Sequence, residues 1–233
     1  MTMGLVQNAA WWAADFLYAA RAQILALDRR VDAATFCTGH RSPVVVLPGV
    51  YEPWRFMLPM IRMLHGDGHP VHVVDPLQNN RRPVAHGAEA VAHYLREHQL
   101  EDVAIVAHSK GGLLGKHVMA FGTEKNRVRS MVAIATPFGG STLARYQVSP
   151  TLRSFSPRNA TLRKLDAERT ANERIVSVFA RFDPHIPEGS RLEGAHNVEV
   201  ETGGHFRILA HPKTLRVVRE CAGEHDRGRT DHQ

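Results

Sequence analysis

Residues 103–118 read VAIVAHSKGGLLGKHV, and the pattern changes abruptly at the centre of this stretch. The unbroken apolar run at its start is typical of a strand buried on both faces of a parallel sheet. Ser109 and small residues follow, and the next apolar residues have the spacing of a helix. The stretch therefore predicts a strand over 102–107, a sharp turn at Ser109 and a helix over 110–121.

Apolar segments on both sides of this stretch extend the alternation of strands and helices. Predicted strands cover 43–47, 69–75, 128–135, 173–180 and 197–201, and predicted helices cover about 8–28, 54–66, 85–98 and 212–222. Parallel neighbouring strands need a crossover, which is usually a helix. We therefore expect an α/β protein, with a mostly parallel sheet of about six strands flanked by helices. A length of 233 residues fits a single domain.

The alternation lapses between residues 138 and 172. An insertion of this length after a strand is typical of a lid or cap over a site. Within it, Ser156 followed by Pro157 predicts the N-cap and first position of a helix. At the end of the chain, residues 223–233 contain no large apolar side chain, which predicts a frayed tail.

Residues 9–27 are strongly apolar but are interrupted by polar and charged side chains, including Asp15. No basic residues precede the run, as a signal peptide would require, and a membrane span would carry few or no charges. Trp12, Phe16 and Ile24 recur on one face, which predicts an amphipathic helix. We expect this face to pack against the protein's own domain, in a cytoplasmic protein. The alternative is a helix that lies on a membrane or lipid surface.

Charge and cysteine content exclude several classes of protein. The 29 basic and 23 acidic residues give a net charge of +6, but the basic residues are scattered rather than clustered as nucleic-acid binding requires. The charge permits attraction to anionic lipid without requiring it. Cys37 and Cys221 are too few for a disulfide framework, so reduced thiols are expected, although pairing of these two stays open. The sequence does not define the oligomeric state.

Ser109 follows a strand at the edge where parallel α/β sheets bind ligands. A serine nucleophile occupies such a turn because its hydroxyl then projects above the sheet, over a helix N-terminus. Strand and helix backbones crowd together there, and Ala107 and Gly111 are small enough for that crowding. The backbone N–H of Lys110 would then point toward a developing oxyanion. The alternative is that Ser109 is only a turn residue.

The motif AHSKGG resembles the nucleophile elbow of α/β-hydrolases, bacterial lipases and esterases in particular, with Ala107 in place of the more frequent glycine. The resemblance covers about residues 43–215 and implies the chain order Ser, acid, His. Asp183 follows an apolar strand in IVSVFARFDPHIP and matches the acid. His205, in the glycine-bearing segment VEVETGGHFRIL, matches the base that would activate Ser109.

The segment LPGVYEPW resembles the family's oxyanion loop, in which the residue after glycine donates its backbone N–H. The resemblance therefore pairs Val50 with Lys110 as the two oxyanion donors, through backbone atoms only. Tyr51, His108 and Phe138 are the candidates to line the substrate pocket. His108 precedes the nucleophile, where local packing or hydrogen bonding is the competing role.

Two residues compete with the proposed acid and base. His185 is a rival base, but it lies only two residues beyond Asp183, which is too close in sequence to face it easily. Asp75 also ends a strand and could be the acid, but its position before the serine favours a structural role. The fifteen histidines invite a metal hypothesis, yet there is no HExxH motif, and we expect no metal site.

The resemblance implies a serine hydrolase that cleaves carboxylic esters of acyl or lipid type through an acyl-enzyme, without metal or organic cofactor. An acyltransferase or thioesterase would use the same triad with a different acceptor or leaving group. A peptidase fits less well. A binding module with a vestigial triad is a further alternative, against which the intact set of Ser109, Asp183 and His205 argues.

Overall fold

The computed structural model describes residues 2–28 and 30–230 and shows a sheet of six strands with helices on both faces. The strands are β1 (Val44–Leu47), β2 (Val71–Val73), β3 (Val103–His108), β4 (Val128–Ile134), β5 (Ile175–Phe182) and β6 (His196–Gly203). The α-helices are α1 (Thr2–Ala26), α2 (Leu58–Gly66), α3 (Val84–Glu97), α4 (Lys110–Phe121), α5 (Pro150–Arg153), α6 (Ala160–Ala167) and α7 (Pro212–Thr230).

The strand order is β2-β1-β3-β4-β5-β6, and every neighbouring pair is parallel. The predicted fold class and number of strands are therefore confirmed. The chain runs outward from β1 to β2 and then returns to β3 on the other side of β1. Ligands in open α/β sheets bind at such a reversal, beyond the carboxyl ends of the strands. The loops after β1 and β3 thus flank the expected site.

Each face of the sheet has its own apolar core. Side chains alternate along β1, so Val44 and Val46 face one core while Val45 and Leu47 face the other. The first core is closed by α2 and α7, and the second by α3, α4 and part of the 138–172 insertion. Burial of each such side chain contributes about 1.5–3 kcal/mol to stability. This two-sided burial explains why the central strands have unbroken apolar sequences.

The insertion at 138–172 folds into a 3-10 turn (Thr142–Tyr146) and the short helices α5 and α6. The prediction that Ser156 caps a helix here was wrong. Asn159 caps α6 instead, because its Oδ1 accepts the N–H groups of Thr161 at 2.9 Å and Leu162 at 3.3 Å. The Ser156 hydroxyl accepts from Arg158, two residues later, and so closes a turn before the helix.

The C-terminal helix α7 is longer than predicted. It continues through Thr230, so the backbone at 223–230 is helical where a frayed tail was expected. Once a helix has started, good helix formers such as glutamate and arginine extend it at little cost. The rest of the predicted tail, residues 231–233, lies outside the described residues. Cys37 and Cys221 are not joined by a disulfide bond.

Helix α1 packs against the rest of the domain with a different face from the one predicted. Trp12, Phe16 and Ile24 are 54%, 64% and 68% exposed, whereas Asp15 is only 1% exposed. The prediction that the large apolar residues pack inward was therefore wrong. Asp15 decides the orientation, because its carboxylate bonds to the backbone beneath the helix. Within the described part of the chain, no helix has the length and apolarity to cross a membrane.

Candidate active site

Ser109 occupies a strained turn between β3 and α4. Its φ of 50° and ψ of −120° lie in a region that residues other than glycine rarely adopt, at a cost of about 1–3 kcal/mol. The N–H of Ser109 donates to the Ile134 carbonyl at 2.8 Å, which ties the turn to β4. A Cβ on Gly111 would overlap the carbonyl oxygen of Leu47. The close approach of α4 to β1 therefore requires glycine at this position.

The three side chains predicted for the triad lie in one hydrogen-bonded line. His205 Nε2 is 3.0 Å from Ser109 Oγ, and His205 Nδ1 is 2.7 Å from Asp183 Oδ2. Because a carboxylate only accepts, Nδ1 carries the proton and Nε2 presents a lone pair to the serine hydroxyl. Ser109 and His205 are both buried. This geometry suits proton transfer from Ser109 to His205.

Hydrogen bonds and charge favour the ionised form of Asp183 and the protonated form of His205. Asp183 Oδ1 accepts the N–H groups of His185 at 2.8 Å and Ile186 at 3.1 Å. Burial opposes ionisation of Asp183, but the attraction and hydrogen bond of His205 outweigh it, so the pKa of Asp183 is lowered. Burial likewise lowers the pKa of His205, but Asp183 more than compensates and leaves this pKa raised. The pair thus favours a carboxylate that stabilises an imidazolium.

His185, the rival base, lies beside the triad. Its ring centroid is 5.0 Å from that of His205, and its Nδ1 is 3.9 Å from Asp183 Oδ1. The side chain is half-exposed, and burial together with the neighbouring His205 lowers its pKa. Within the described residues, Ser109 Oγ bonds to His205 and not to His185.

Asp183, His185 and His205 also form the one group of potential metal ligands found among the described residues, with ligand atoms within 4.8 Å of one another. His205 Nδ1 and Asp183 Oδ2 already bond to each other. A metal held through those two atoms would have to replace that bond. The donor set therefore fits the hydrogen-bonded triad better than a metal centre.

The two predicted oxyanion donors are the backbone N–H groups of Val50, which lines the pocket together with Ser109, and of Lys110, which directly follows Ser109. Lys110 begins α4, so its N–H has no partner within the helix. In the described residues neither N–H has a hydrogen-bond acceptor, whereas the next one, Tyr51 N–H, donates to the Asn79 carbonyl at 2.8 Å. Among the described residues, no protein acceptor thus uses either of the two predicted oxyanion donors.

The side chain of Lys110 hydrogen-bonds to the loop at residues 80–82, and this loop bonds to the segment that carries Val50. Its ammonium group donates to the carbonyl of Asn80 at 2.8 Å and to that of Arg82. The Asn80 side chain donates in turn to the Pro48 carbonyl at 2.8 Å, within the segment LPGVYEPW that carries Val50. Burial of the ammonium group lowers the pKa of Lys110 to about 8.

A pocket of about 440 Å³ opens above Ser109 and His205. Tyr51 lines it as predicted, and its hydroxyl bonds to Ser149 Oγ of the insertion at 2.5 Å. The insertion contributes mainly apolar side chains to the pocket wall, namely Leu143, Ala144, Leu152 and Phe155.

Two of the pocket candidates are not among the residues that line this pocket. Phe138 is buried in the apolar core on the α3–α4 side of the sheet, because the chain turns inward directly after β4. His108 is fully buried beneath the triad. Predicting either of them as a pocket residue was therefore wrong.

The sequence analysis missed Glu52 and did not assign a specific partner to His108. Glu52 accepts the Gly49 N–H at 2.8 Å and lies 2.8 Å from His108 Nδ1. The other ring nitrogen of His108 donates to the carbonyl of His205 at 3.0 Å. This chain of bonds joins the oxyanion loop to the loop of His205. The available signal was an acidic residue within the otherwise apolar segment LPGVYEPW.

Asp15 is the second residue that the sequence analysis left without a role. Its carboxylate accepts three backbone N–H groups from the loop that begins at His205. The signal in the sequence is a single acid in the middle of a strongly apolar helix, but periodicity alone marks it only as an interruption of the apolar run.

No protein-family model matches the chain, and no curated protein matches its sequence. Solved structures do match it. The mature lipase BlEst2 from Bacillus licheniformis superposes with a TM-score of 0.63 at 17% identity, over 77% of this chain and 91% of the lipase.

Two further solved structures resemble the chain. One, reported with the metagenome-derived lipolytic enzymes LipS and LipT, has a TM-score of 0.58 at 13% identity, over 79% of this chain and 94% of its own. The enol-lactonase from Burkholderia xenovorans LB400 has a TM-score of 0.55 at 12% identity, over 78% and 92%. The protein therefore has the α/β-hydrolase fold.

Proposed function

We propose that the protein is a serine hydrolase that cleaves carboxylic esters of apolar acyl groups through an acyl-enzyme. The observation that carries this proposal is the line from Ser109 through His205 to Asp183, with contacts of 3.0 Å and 2.7 Å, at the base of a largely apolar pocket. A serine hydroxyl is a weak nucleophile without an adjacent base, and His205 supplies one.

In the first half of the reaction, Ser109 Oγ attacks the ester carbonyl carbon while His205 Nε2 takes its proton. The carbonyl oxygen becomes an oxyanion, which the N–H groups of Val50 and Lys110 would bind. Asp183 stabilises the resulting imidazolium. His205 then gives its proton to the leaving alkoxide as the carbon–oxygen bond breaks, so an alcohol leaves and the acyl group stays on Ser109.

In the second half, water replaces the alcohol and attacks the acyl carbon. His205 takes a proton from the water and returns it to Ser109 Oγ when the acyl–serine bond breaks, which releases a carboxylic acid and restores the enzyme. An acyltransferase would differ only at this point, where another hydroxyl would take the place of water. A thioesterase would differ in the leaving group.

Exposed apolar side chains around the pocket mouth favour a lipid surface as the partner of this site. Ala19 and Gln23 of α1 and Leu143 of the insertion line the pocket. Exposed large apolar side chains of α1 include Val6, Trp12, Phe16, Leu17, Ile24 and Leu25, and Leu27 just beyond the helix is also exposed. The insertion, 138–172, carries six basic and two acidic residues, so its charge complements an anionic surface. We propose that α1 and the insertion rest on anionic lipid, where the insertion serves as a lid.

The proposed function is tested by turnover of p-nitrophenyl esters of increasing chain length, acyl-CoA and triglyceride emulsion, with and without an added alcohol. We expect ester hydrolysis by the wild type and none above background by Ser109→Ala. Ser156→Ala, a serine of the insertion outside the pocket lining, serves as the matched control and should keep full activity. Equal hydrolysis by wild type and Ser109→Ala would contradict the proposal. Acyl transfer to the alcohol in preference to water would identify an acyltransferase.

A further inference from the structure

Asp15 is a buried carboxylate on a helix that exposes most of its large apolar side chains. It is 1% exposed, although α1 lies on the outside of the molecule. A charge removed from water costs several kcal/mol unless hydrogen bonds or opposite charges compensate. Oδ2 of Asp15 accepts the His205 N–H at 2.9 Å, and Oδ1 accepts those of Phe206 and Arg207 at 2.8 Å each. The carboxylate is therefore fully engaged with the loop of the proposed catalytic base.

These three N–H groups lie at the start of the 3-10 turn Arg207–Ala210, where a helical turn has no backbone acceptors of its own. Phe206, at the cap position, has no side-chain oxygen to cap the turn. Asp15 supplies that cap from a part of the chain 190 residues away. Hydrogen bonds to a charged acceptor are about twice as strong as neutral ones.

The two glycines before His205 are shaped for this contact. Gly204 has a φ of 118°, and a Cβ there would overlap the Asp15 carboxylate. A Cβ on Gly203 would lie 2.5 Å from Trp11 of the same helix. The sequence GGH thus lets α1 approach the backbone of His205 more closely than any side chain would allow.

The backbone of His205 is held from the opposite side as well. Its carbonyl accepts from His108 Nε2 at 3.0 Å, and His108 is fixed by Glu52 at 2.8 Å. The N–H is held by Asp15 at 2.9 Å. The imidazole can reach Ser109 only if this backbone keeps its position, and a displacement of about 1 Å at a reacting group can cost 100-fold in rate.

We propose that Asp15 is a positioning residue for His205, so that α1 is part of the proposed active site although it contributes no reacting atom. This inference rests on the proposed function. The charged and titratable groups that face His205 are Asp183 and His185 after β5, His108 with Glu52 beneath it, and Asp15 on α1. The negative charge of Asp15 favours the protonated imidazole, which is the form that the transition state creates.

The test compares Asp15→Asn with the matched control Asp28→Asn, which changes an exposed acid just beyond α1. In Asp15→Asn the amide NH₂ would meet a backbone N–H, and the charge is lost while the shape is kept. We expect kcat for a p-nitrophenyl ester to fall about 10- to 100-fold, with KM changed less than about threefold. The pH midpoint of the acidic limb of kcat/KM should shift downward, because the imidazolium loses a favourable charge. Asp28→Asn should match the wild type in all three quantities.

A purely structural role for Asp15 would lower the melting temperature and leave kcat per folded molecule and the pH midpoint unchanged, which would overturn the inference. If Asp15→Asn does not fold, hydrogen exchange on the wild type decides instead. The amides of His205, Phe206 and Arg207 should exchange slowly, whereas fast exchange would show that Asp15 does not hold them. Turnover by the wild type tests the proposed function, and the comparison of Asp15→Asn with the wild type tests the positioning role of Asp15. A failure of one can therefore be distinguished from a failure of the other.

Discussion

Each polar atom of His205 has its own partner. The N–H donates to Asp15, the carbonyl accepts from His108, Nδ1 donates to Asp183 and Nε2 faces Ser109. A histidine held at two backbone atoms and at both ring nitrogens has one tautomer and one orientation, so the ring is already ordered before a substrate binds. At the scale of single residues, activity should therefore depend on His205 far more than on the neighbouring His185.

Alanine substitutions separate the two histidines. His205→Ala removes the group that takes the serine proton, and ester turnover should fall about 1,000-fold or more. His185→Ala removes a half-exposed ring that makes no bond to Ser109, and turnover should stay within about fivefold of wild type. Both rates are measured with a p-nitrophenyl ester at saturating concentration. The opposite ranking would show that His185 is the base.

The pH dependence of turnover follows from the raised pKa of His205. Only the neutral imidazole can take the serine proton, so activity rises with pH as His205 deprotonates. Because the attraction of Asp183 outweighs the effect of burial, the midpoint should lie above the ordinary value of about 6.5. Asp183→Asn removes that attraction, so its midpoint should lie below that of the wild type, with kcat about 100- to 10,000-fold lower. A midpoint that rises in Asp183→Asn would contradict this account.

The sequence was sufficient to predict the hydrogen-bonded set of Ser109, Asp183 and His205, but not the residues that hold this set in place. Ser109, Asp183 and His205 each follow a strand in a recognisable local pattern, and the order of strands brings the three together. Asp15 and Glu52 have local patterns that only mark them as unusual. Their partners lie 190 and 56 residues away, and no periodicity encodes a contact over that distance.

At the scale of elements, the turn between β3 and α4 depends on how closely α4 approaches β1. Gly111→Ala would force a methyl group into the carbonyl of Leu47, which is backbone and cannot rotate away. We expect the free energy of unfolding to fall by about 1–3 kcal/mol or more in urea denaturation. Gly66→Ala in α2 is the matched control, since a Cβ there meets nothing within 4 Å.

The control variant should be as stable as the wild type or up to about 1 kcal/mol more stable, because alanine favours a helix over glycine. Equal stability of Gly111→Ala and the wild type would mean that α4 does not approach β1 as closely as described. The turn that presents Ser109 would then need another explanation.

Helix α1 shows why element orientation was the weakest part of the sequence-based prediction. The helix is apolar on nearly every side, so the spacing of Trp12, Phe16 and Ile24 does not identify the face that is buried. The hydrogen bonds of Asp15 make that choice. The insertion is similar, because Ser156 and Asn159 are both good N-caps and only packing selects Asn159.

At the scale of the whole molecule, the order of strands places the site at the reversal between β1 and β3. The alternation of apolar runs and helices was enough to predict this sheet. The exposed apolar face of α1 and the basic insertion border the same pocket. That arrangement leads to a prediction about lipid surfaces.

The protein should co-sediment with vesicles that contain phosphatidylglycerol and much less with phosphatidylcholine vesicles. The combined change Phe16→Ser, Leu17→Ser and Ile24→Ser should weaken binding at least about tenfold, because three exposed apolar side chains are lost. Asn126→Ser, in the 3-10 turn before β4 and so at the amino-terminal end of the strands, should have no effect. Unchanged binding by the triple variant would contradict the prediction. Size-exclusion chromatography that shows a dimer dissociated by the same change would identify a second copy as the partner instead.

The most direct test of the central claim is labelling with a fluorophosphonate probe, followed by mass spectrometry of the modified peptide. The probe reacts with a serine only when a neighbouring base activates it. We expect labelling of Ser109 in the wild type, near-complete loss of labelling in His205→Ala and normal labelling in Asp28→Asn. No label on Ser109, or the same rate of labelling in His205→Ala, would contradict the activation of Ser109 by His205.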